Sequence, residues 1–245
     1  MNDTPYIDVH THRKTKPQGG YVSILNLFAN QFHKPERKSN NFYSLGIHPW
    51  HISVDTPDPP NLIYLIEAMK NKAIIAIGET GLDLAIETKK KPQNLFYGGT
   101  HGRFQTKMGQ QKAFFEKHLE LAQSTEKPAI VHAVHTYPDI VEVYNKSRVN
   151  VNMVFHGFNG NLEIAEQLIK RGFYLSFGEH LFNSTRKAVG VFKEIPLGNI
   201  FLETDESEKS ITAIYDKAAE IKGLGRSVLK DNIYNNFTHC FGKII

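Results

Sequence analysis

Ala73-Ile74-Ile75-Ala76-Ile77-Gly78-Glu79 is an apolar run that ends on a glycine and a carboxylate. Seven further short apolar runs accompany it: Tyr6–Val9, Tyr21–Leu27, Phe42–Ile47, Ala129–Val131, Val151–Phe155, Phe173–Phe177 and Ile200–Leu202. Between them lie stretches of helical period, such as Leu62–Lys70, Gln110–Ser124, Leu162–Arg171 and Thr212–Lys222. Strands alternating with helices predict a parallel sheet. Eight runs point to a closed (β/α)8 TIM barrel more than to an open doubly wound sheet. Only Arg13 to Gly20 separates the first run from the second, below the dozen or so residues a regular crossover needs. The first helix is therefore expected to be lost or reduced to a loop.

The length agrees. A chain of 245 residues fits one domain spanning 1–245, since such barrels typically take roughly 250 residues. The single cysteine, Cys240, excludes an internal disulfide and any cysteine-based zinc cluster. The net charge of +4 tolerates an anionic partner without demanding one. The N-terminal residues carry no signal-peptide pattern, and no apolar run approaches the ~20 residues of a membrane span. The expectation is a cytoplasmic protein with no membrane association and no obligate protein partner.

Chemistry gathers at the ends of the runs. His10-Thr11-His12 places two imidazoles on one side of a strand, because side chains two apart point the same way. Alone this pair is weak, since 12 histidines in 245 residues give about 0.6 such pairs by chance. The pattern recurs, however. The Ala73 run leads into Glu79, Pro128–Val131 into His132, Val151–Phe155 into His156, and Ile200–Leu202 into Glu203-Thr204-Asp205. Five runs thus each deliver a metal-capable side chain at the C-terminal end, the face where barrel enzymes build their sites. Imidazoles and carboxylates suit zinc, manganese or iron, whereas magnesium sites are usually richer in oxygen. Six ligands exceed what one catalytic ion with an open position takes, and two divalent ions (zinc, manganese or magnesium) sharing a carboxylate account for them better.

Several blocks together resemble the TatD-type metal-dependent deoxyribonucleases of the amidohydrolase superfamily. They are Ile7-Asp8-Val9-His10-Thr11-His12, Gly46-Ile47-His48-Pro49, Ile77-Gly78-Glu79-Thr80-Gly81-Leu82-Asp83, Lys127–His132, His156–Gly160 and Leu202-Glu203-Thr204-Asp205, with Asn232–Phe237 similar to the family's closing helix. The resemblance implies metal ligands at His10, His12, Glu79, His132, His156 and Asp205. It also implies hydrolysis of phosphodiesters at DNA ends or in single strands by a metal-activated hydroxide, with Glu79 bridging and Asp205 handling the proton. Two departures bear on substrate: Ala133-Val134-His135 follows His132 where longer members carry Ser-Arg-Asp, and Glu206-Ser207 replaces Ser-Pro. Rival readings are a metal-dependent amide or ester hydrolase, such as an aminoacyl-tRNA deacylase, and a non-catalytic metal-binding scaffold.

Other residues divide between roles. His48 ends a run and is a candidate substrate contact, or part of a rigid turn with a packed Trp50; His51 reads as structural or exposed. Asp83 is expected to support the segment carrying Glu79. Glu203 either orients a ligand histidine or is a buried structural carboxylate. Gly81, Gly157 and Gly160 read as turn glycines, and Phe114, His118, Leu121 and Ala122 as a core stripe. The insertion Thr88–Met108 is basic and aromatic. Its Lys89, Lys90, Lys91, Arg103 and Lys107 suit phosphate contact, although a solvated loop is the simpler reading.

Overall fold

The computed structural model describes residues 4–13, 20–29, 41–52, 62–85 and 107–243. Eight parallel strands pair in chain order. They are β1 (Tyr6–Thr11), β2 (Tyr21–Phe28), β3 (Asn41–Gly46), β4 (Ile74–Asp83), β5 (Ala129–Val134), β6 (Met153–Phe155), β7 (Tyr174–Phe177) and β8 (Ile200–Leu202). Each expected run is a strand. They read as unbroken apolar runs because strands flanked by helices and wrapped around a core are buried on both faces; in β4 all ten residues are buried.

The seam between β8 and β1 closes through one parallel bridge, Thr11 with Asp205. The backbone of Asp205 donates to the His10 carbonyl at 3.0 Å, and His12 donates to the Asp205 carbonyl at 3.1 Å. These bonds hold Asp205 at φ 51°, a left-handed conformation that costs a non-glycine residue on the order of 1 kcal/mol and persists where neighbouring structure over-determines it. The barrel is therefore closed by the residues expected to bind metal.

The helices are α1 (Leu62–Ala68), α2 (Lys107–Ser124), α3 (Tyr137–Ser147), α4 (Leu162–Ile169), α5 (Lys187–Glu194), α6 (Ile211–Lys222) and α7 (Arg226–Phe241). Side-chain caps fix two starts: Asn161 accepts from Ile164 N at α4, and Ser210 from Ala213 N at α6. The connection between β1 and β2, where a reduced first helix is expected, lies mostly outside the described residues. In α7, Asn236 donates from its amide to the Leu197 and Ile200 carbonyls and ties the last helix to the start of β8. No helix among the described residues is long and apolar enough to cross a membrane.

Gly81 departs from its expected role. It lies inside β4 at φ +136°, opposite His132 on β5, and a Cβ there would meet the His132 carbonyl oxygen at 2.1 Å. The glycine serves close strand approach, and no turn occurs at that point. The stripe Phe114, His118, Leu121 and Ala122 is buried along α2, as expected.

Candidate metal centre

The barrel brings all six expected ligands to one place. Glu79 is only 2% exposed and stands at its centre. Its Oε2 faces the His12 Nε2 at 3.4 Å and the His10 Nε2 at 3.7 Å. Those two imidazoles in turn face the Asp205 Oδ1 at 3.5 and 3.7 Å. The other oxygen, Oε1, lies 2.8 Å from the His132 Nδ1, 2.8 Å from the His156 Nε2 and 3.0 Å from the His48 Nε2. Glu79 does not end its strand; β4 runs four residues further, to Asp83.

The donor set fits a metal. His10 is wholly buried, and neither of its ring nitrogens makes a hydrogen bond among the described residues. Buried polar atoms are rarely left so, and an imidazole aimed at two carboxylates without a hydrogen bond is suited to a cation. Among the described residues, four groups of three side chains have ligand atoms within 4.8 Å of one another: His10, His12 and Asp205; His10, Glu79 and His156; His48, Glu79 and His132; His156, Glu203 and Asp205.

Electrostatics agree. Burial, with the neighbouring His156, holds the His10 imidazole well below its usual range, so it is neutral and able to ligate. Burial pushes the Glu79 carboxyl up, but His156, His12 and His132 outweigh it and keep the group ionised. Burial opposes charge on His156, yet Glu79 and Glu203 draw its pKa well above the usual value. Buried negative charge here demands positive charge, which a divalent ion supplies as well as a proton. Burial and the charge of Glu203 raise Asp205.

A surrounding ring of polar contacts holds the ligands. Asp83 accepts from Ala85 N on Oδ1 at 2.8 Å; its Oδ2 accepts from the Trp50 indole at 2.7 Å and lies 3.2 Å from the His132 Nε2. It therefore serves His132 as well as the strand of Glu79. Glu203 is buried and accepts from Gly157 N at 2.6 Å, as a structural carboxylate does, and stands 3.8 Å from the His156 Nδ1, beyond hydrogen-bond distance.

His48 is buried, accepts from Trp50 N on Nδ1 and turns Nε2 toward Glu79. Trp50 is 63% exposed, which corrects the reading of it as packed; its indole N–H reaches Asp83 while the ring stays at the lip. His51 is exposed. Lys89, Lys90, Lys91 and Arg103 lie outside the described residues, and Lys107 begins α2.

Two supports were missed in the sequence. Asn26 Oδ1 accepts from Glu79 N at 2.8 Å and from Ser44 Oγ at 3.1 Å. Asp8 accepts from Thr204 N and Thr204 Oγ1, fixing the residue before Asp205. The signal for both was a polar residue inside an apolar run.

Comparison with known proteins bears on the same residues. A metal-dependent hydrolase of Buchnera aphidicola is 30% identical over 176 residues, covering 67% of this chain and 58% of that protein. YcfH of Escherichia coli K12, also called a metal-dependent hydrolase, is 26% identical over 91% of this chain and 79% of its own. In fold, the chain superposes on the TatD homologue YjjV of Escherichia coli K12 with a TM-score of 0.77 at 21% identity, over 98% of this chain and 99% of that one. A TatD family hydrolase of Entamoeba histolytica gives 0.74 at 16% identity, covering 99% of this chain and 100% of the other. The sequence profile described as TatD related DNase matches residues 27–242. That match begins after β1, so His10 and His12 rest on geometry, while Glu79, His132, His156 and Asp205 fall within it. With the profile spanning most of the barrel, the chain belongs to the TatD related DNase family.

Proposed function

We propose that the chain is a metal-dependent hydrolase cleaving phosphodiesters at DNA ends or in single strands, with two divalent ions shared by Glu79. The observation that carries this reading is the division of neighbours between the two oxygens of one carboxylate. His10, His12 and Asp205 gather on the Oε2 side, and His132 and His156 on Oε1. Divalent ions, when held by these residues, would supply Lewis acidity and would ease deprotonation of the attacking water. Asp205, at the barrel seam, accepts the proton of the attacking water and returns it to the leaving oxygen. His48, whose Nε2 faces Glu79 at 3.0 Å, is the candidate substrate contact beside that carboxylate. Asp83 and Glu203 keep the His132 and His156 rings in place. Lys89, Lys90, Lys91, Arg103 and Lys107 contribute phosphate contacts. The nucleic-acid substrate is supported by the family's description. A phosphotriesterase homology protein of Escherichia coli with phosphate in its active site has the same fold, at a TM-score of 0.63 and 12% identity over 98% of this chain and 100% of that one.

The test measures bound metal per chain and then offers the same preparation single-stranded DNA and acyl esters. Two ions per chain and DNA cleavage are expected. Ester hydrolysis without DNA cleavage moves the chain to the acyl hydrolases; metal binding without turnover of either moves it to the scaffolds.

A further inference from the structure

We propose that Trp50 is an aromatic platform on which a base of the substrate stacks beside the scissile phosphate. The inference rests on the phosphodiesterase reading and names how the substrate is gripped.

Trp50 follows Pro49, which pre-sets the backbone of the short 3-10 turn Pro49–His51. Both donors of Trp50 are spent inside the protein. The backbone N–H reaches the His48 Nδ1 at 3.0 Å, and the indole N–H reaches the Asp83 Oδ2 at 2.7 Å. The ring is thus anchored at its polar edge, yet 63% of the residue faces solvent. Isolated exposed apolar side chains are ordinary. This one differs because its polar edge is tied to a buried carboxylate that also contacts a candidate metal ligand. Such anchoring does little for folding, since most of the large apolar area of an indole stays in water. It does prepare a rigid flat surface, with the ordering cost met before any ligand arrives.

The position suits a base. The indole centroid lies 5.0 Å from that of His48 and 6.3 Å from that of His132. Phe28 and His51, 4.9 Å apart, continue the aromatic rim toward His12. The opposite side of the mouth is hostile to a polyanion. There a cleft of about 540 Å³ beside Asp205 is lined by Glu179, Glu203, Glu206 and Glu208, with Lys209 as its one lysine among the described residues. A nucleic acid strand reaching the centre is repelled from that side and finds its flat surface at Trp50. Stacking there tolerates any base, because every base has a π-face.

Trp50 is the chain's only tryptophan, so its fluorescence reports on this spot alone. The experiment titrates metal-loaded Asp205→Asn protein, which holds substrate without turning it over, with hexadeoxyadenylate and with an abasic hexamer of equal charge. Quenching by the first and not by the second is expected. In kinetics, Trp50→Ala should lower the preference for hexadeoxyadenylate over the abasic hexamer, as the ratio of kcat/KM values, by roughly 5- to 150-fold. Trp50→Phe, which keeps a ring and loses the bond to Asp83, should retain most of that preference. Equal losses on both substrates in Trp50→Ala would mean that the residue acts only through Asp83 and His132, and the platform is overturned. Equal quenching with an unchanged ratio overturns it too, and leaves the phosphodiesterase reading standing. If the wild type cleaves neither hexamer, that reading falls and takes this inference with it.

Discussion

Asp83 Oδ2 lies 3.2 Å from the Nε2 of His132, while the other nitrogen of that ring, Nδ1, lies 2.8 Å from Glu79 Oε1. The imidazole is thus held between two carboxylates, one in the cluster and one behind it. Burial opposes charge on Asp83, but its bonds with His132 and Trp50 prevail and bring its pKa to about 2, so it is an acceptor on both oxygens at neutral pH. Both are used, since Oδ1 takes the Ala85 N–H. Asp83→Asn replaces one acceptor with a donor and must turn that donor toward another. Metal affinity should fall about 10- to 100-fold with the far-ultraviolet circular dichroism unchanged, as read by competition against a chelator. Wild-type affinity in the variant would show that His132 needs no such brace.

Asp205→Asn tests the proton-handling step. The amide keeps a ligand oxygen and cannot accept a proton, so turnover should drop by at least about 10²–10⁴-fold. Because the seam at Asp205 is made by backbone bonds, the fold should survive, with a melting curve close to that of the wild type. Near-normal turnover in a fully metallated variant would remove Asp205 as the base.

What the sequence made legible follows from the barrel itself. Strands buried on both faces stand out as apolar runs, and polar side chains at or near their C-terminal ends follow in register, so the candidate ligands His10, His12, His132, His156 and Asp205, which the fold brings together, could be named in advance. Relations across strands were not legible. That Asn26 of β2 accepts from the Glu79 backbone depends on the stagger of β2, β3 and β4, and that Trp50 reaches Asp83 depends on how a three-residue turn folds back over β4. Gly81 was misread for the same reason, because only the partner strand reveals what a side chain there would strike. The helices α3 and α5, whose starts carry no side-chain cap, were not among the periodic stretches named.

Gly81→Ala should therefore damage the centre although it removes no ligand. The added methyl meets the backbone of His132 and must move β5 or β4 to fit. Overpacking typically costs about 1–3 kcal/mol and a strained φ adds on the order of 1–3 kcal/mol more. A lower melting temperature together with lower metal content per chain is expected. Full metal content at wild-type stability would mean that the two strands can part without disturbing His132.

His118 gives the barrel a dependence on pH that is separate from the metal cluster. It is wholly buried in α2; its Nδ1 proton goes to the Phe114 carbonyl at 2.7 Å, and its Nε2 accepts from Ile47 N at 3.1 Å, beside His48. A second proton on Nε2 would face the Ile47 N–H, and burial already pushes the pKa from 6.5 down to about 4. The unfolded chain takes up that proton near pH 6.5 and the folded chain near pH 4. The neutral ring's contribution is therefore present above pH 6.5 and is lost as the pH falls from there to about 4. Between pH 7 and pH 5 the loss is about 2 kcal/mol, on the order-of-magnitude scale of 1.36 kcal/mol per pKa unit. His118→Gln can still accept from Ile47 but does not titrate. It should be less stable than the wild type at pH 7 and lose about 2 kcal/mol less than the wild type on going to pH 5. Urea unfolding of both proteins at the two pH values measures this, and other titrating groups cancel in the comparison. Parallel losses in the two proteins would remove His118 as the acid-sensitive joint between α2 and the end of β3 that carries His48.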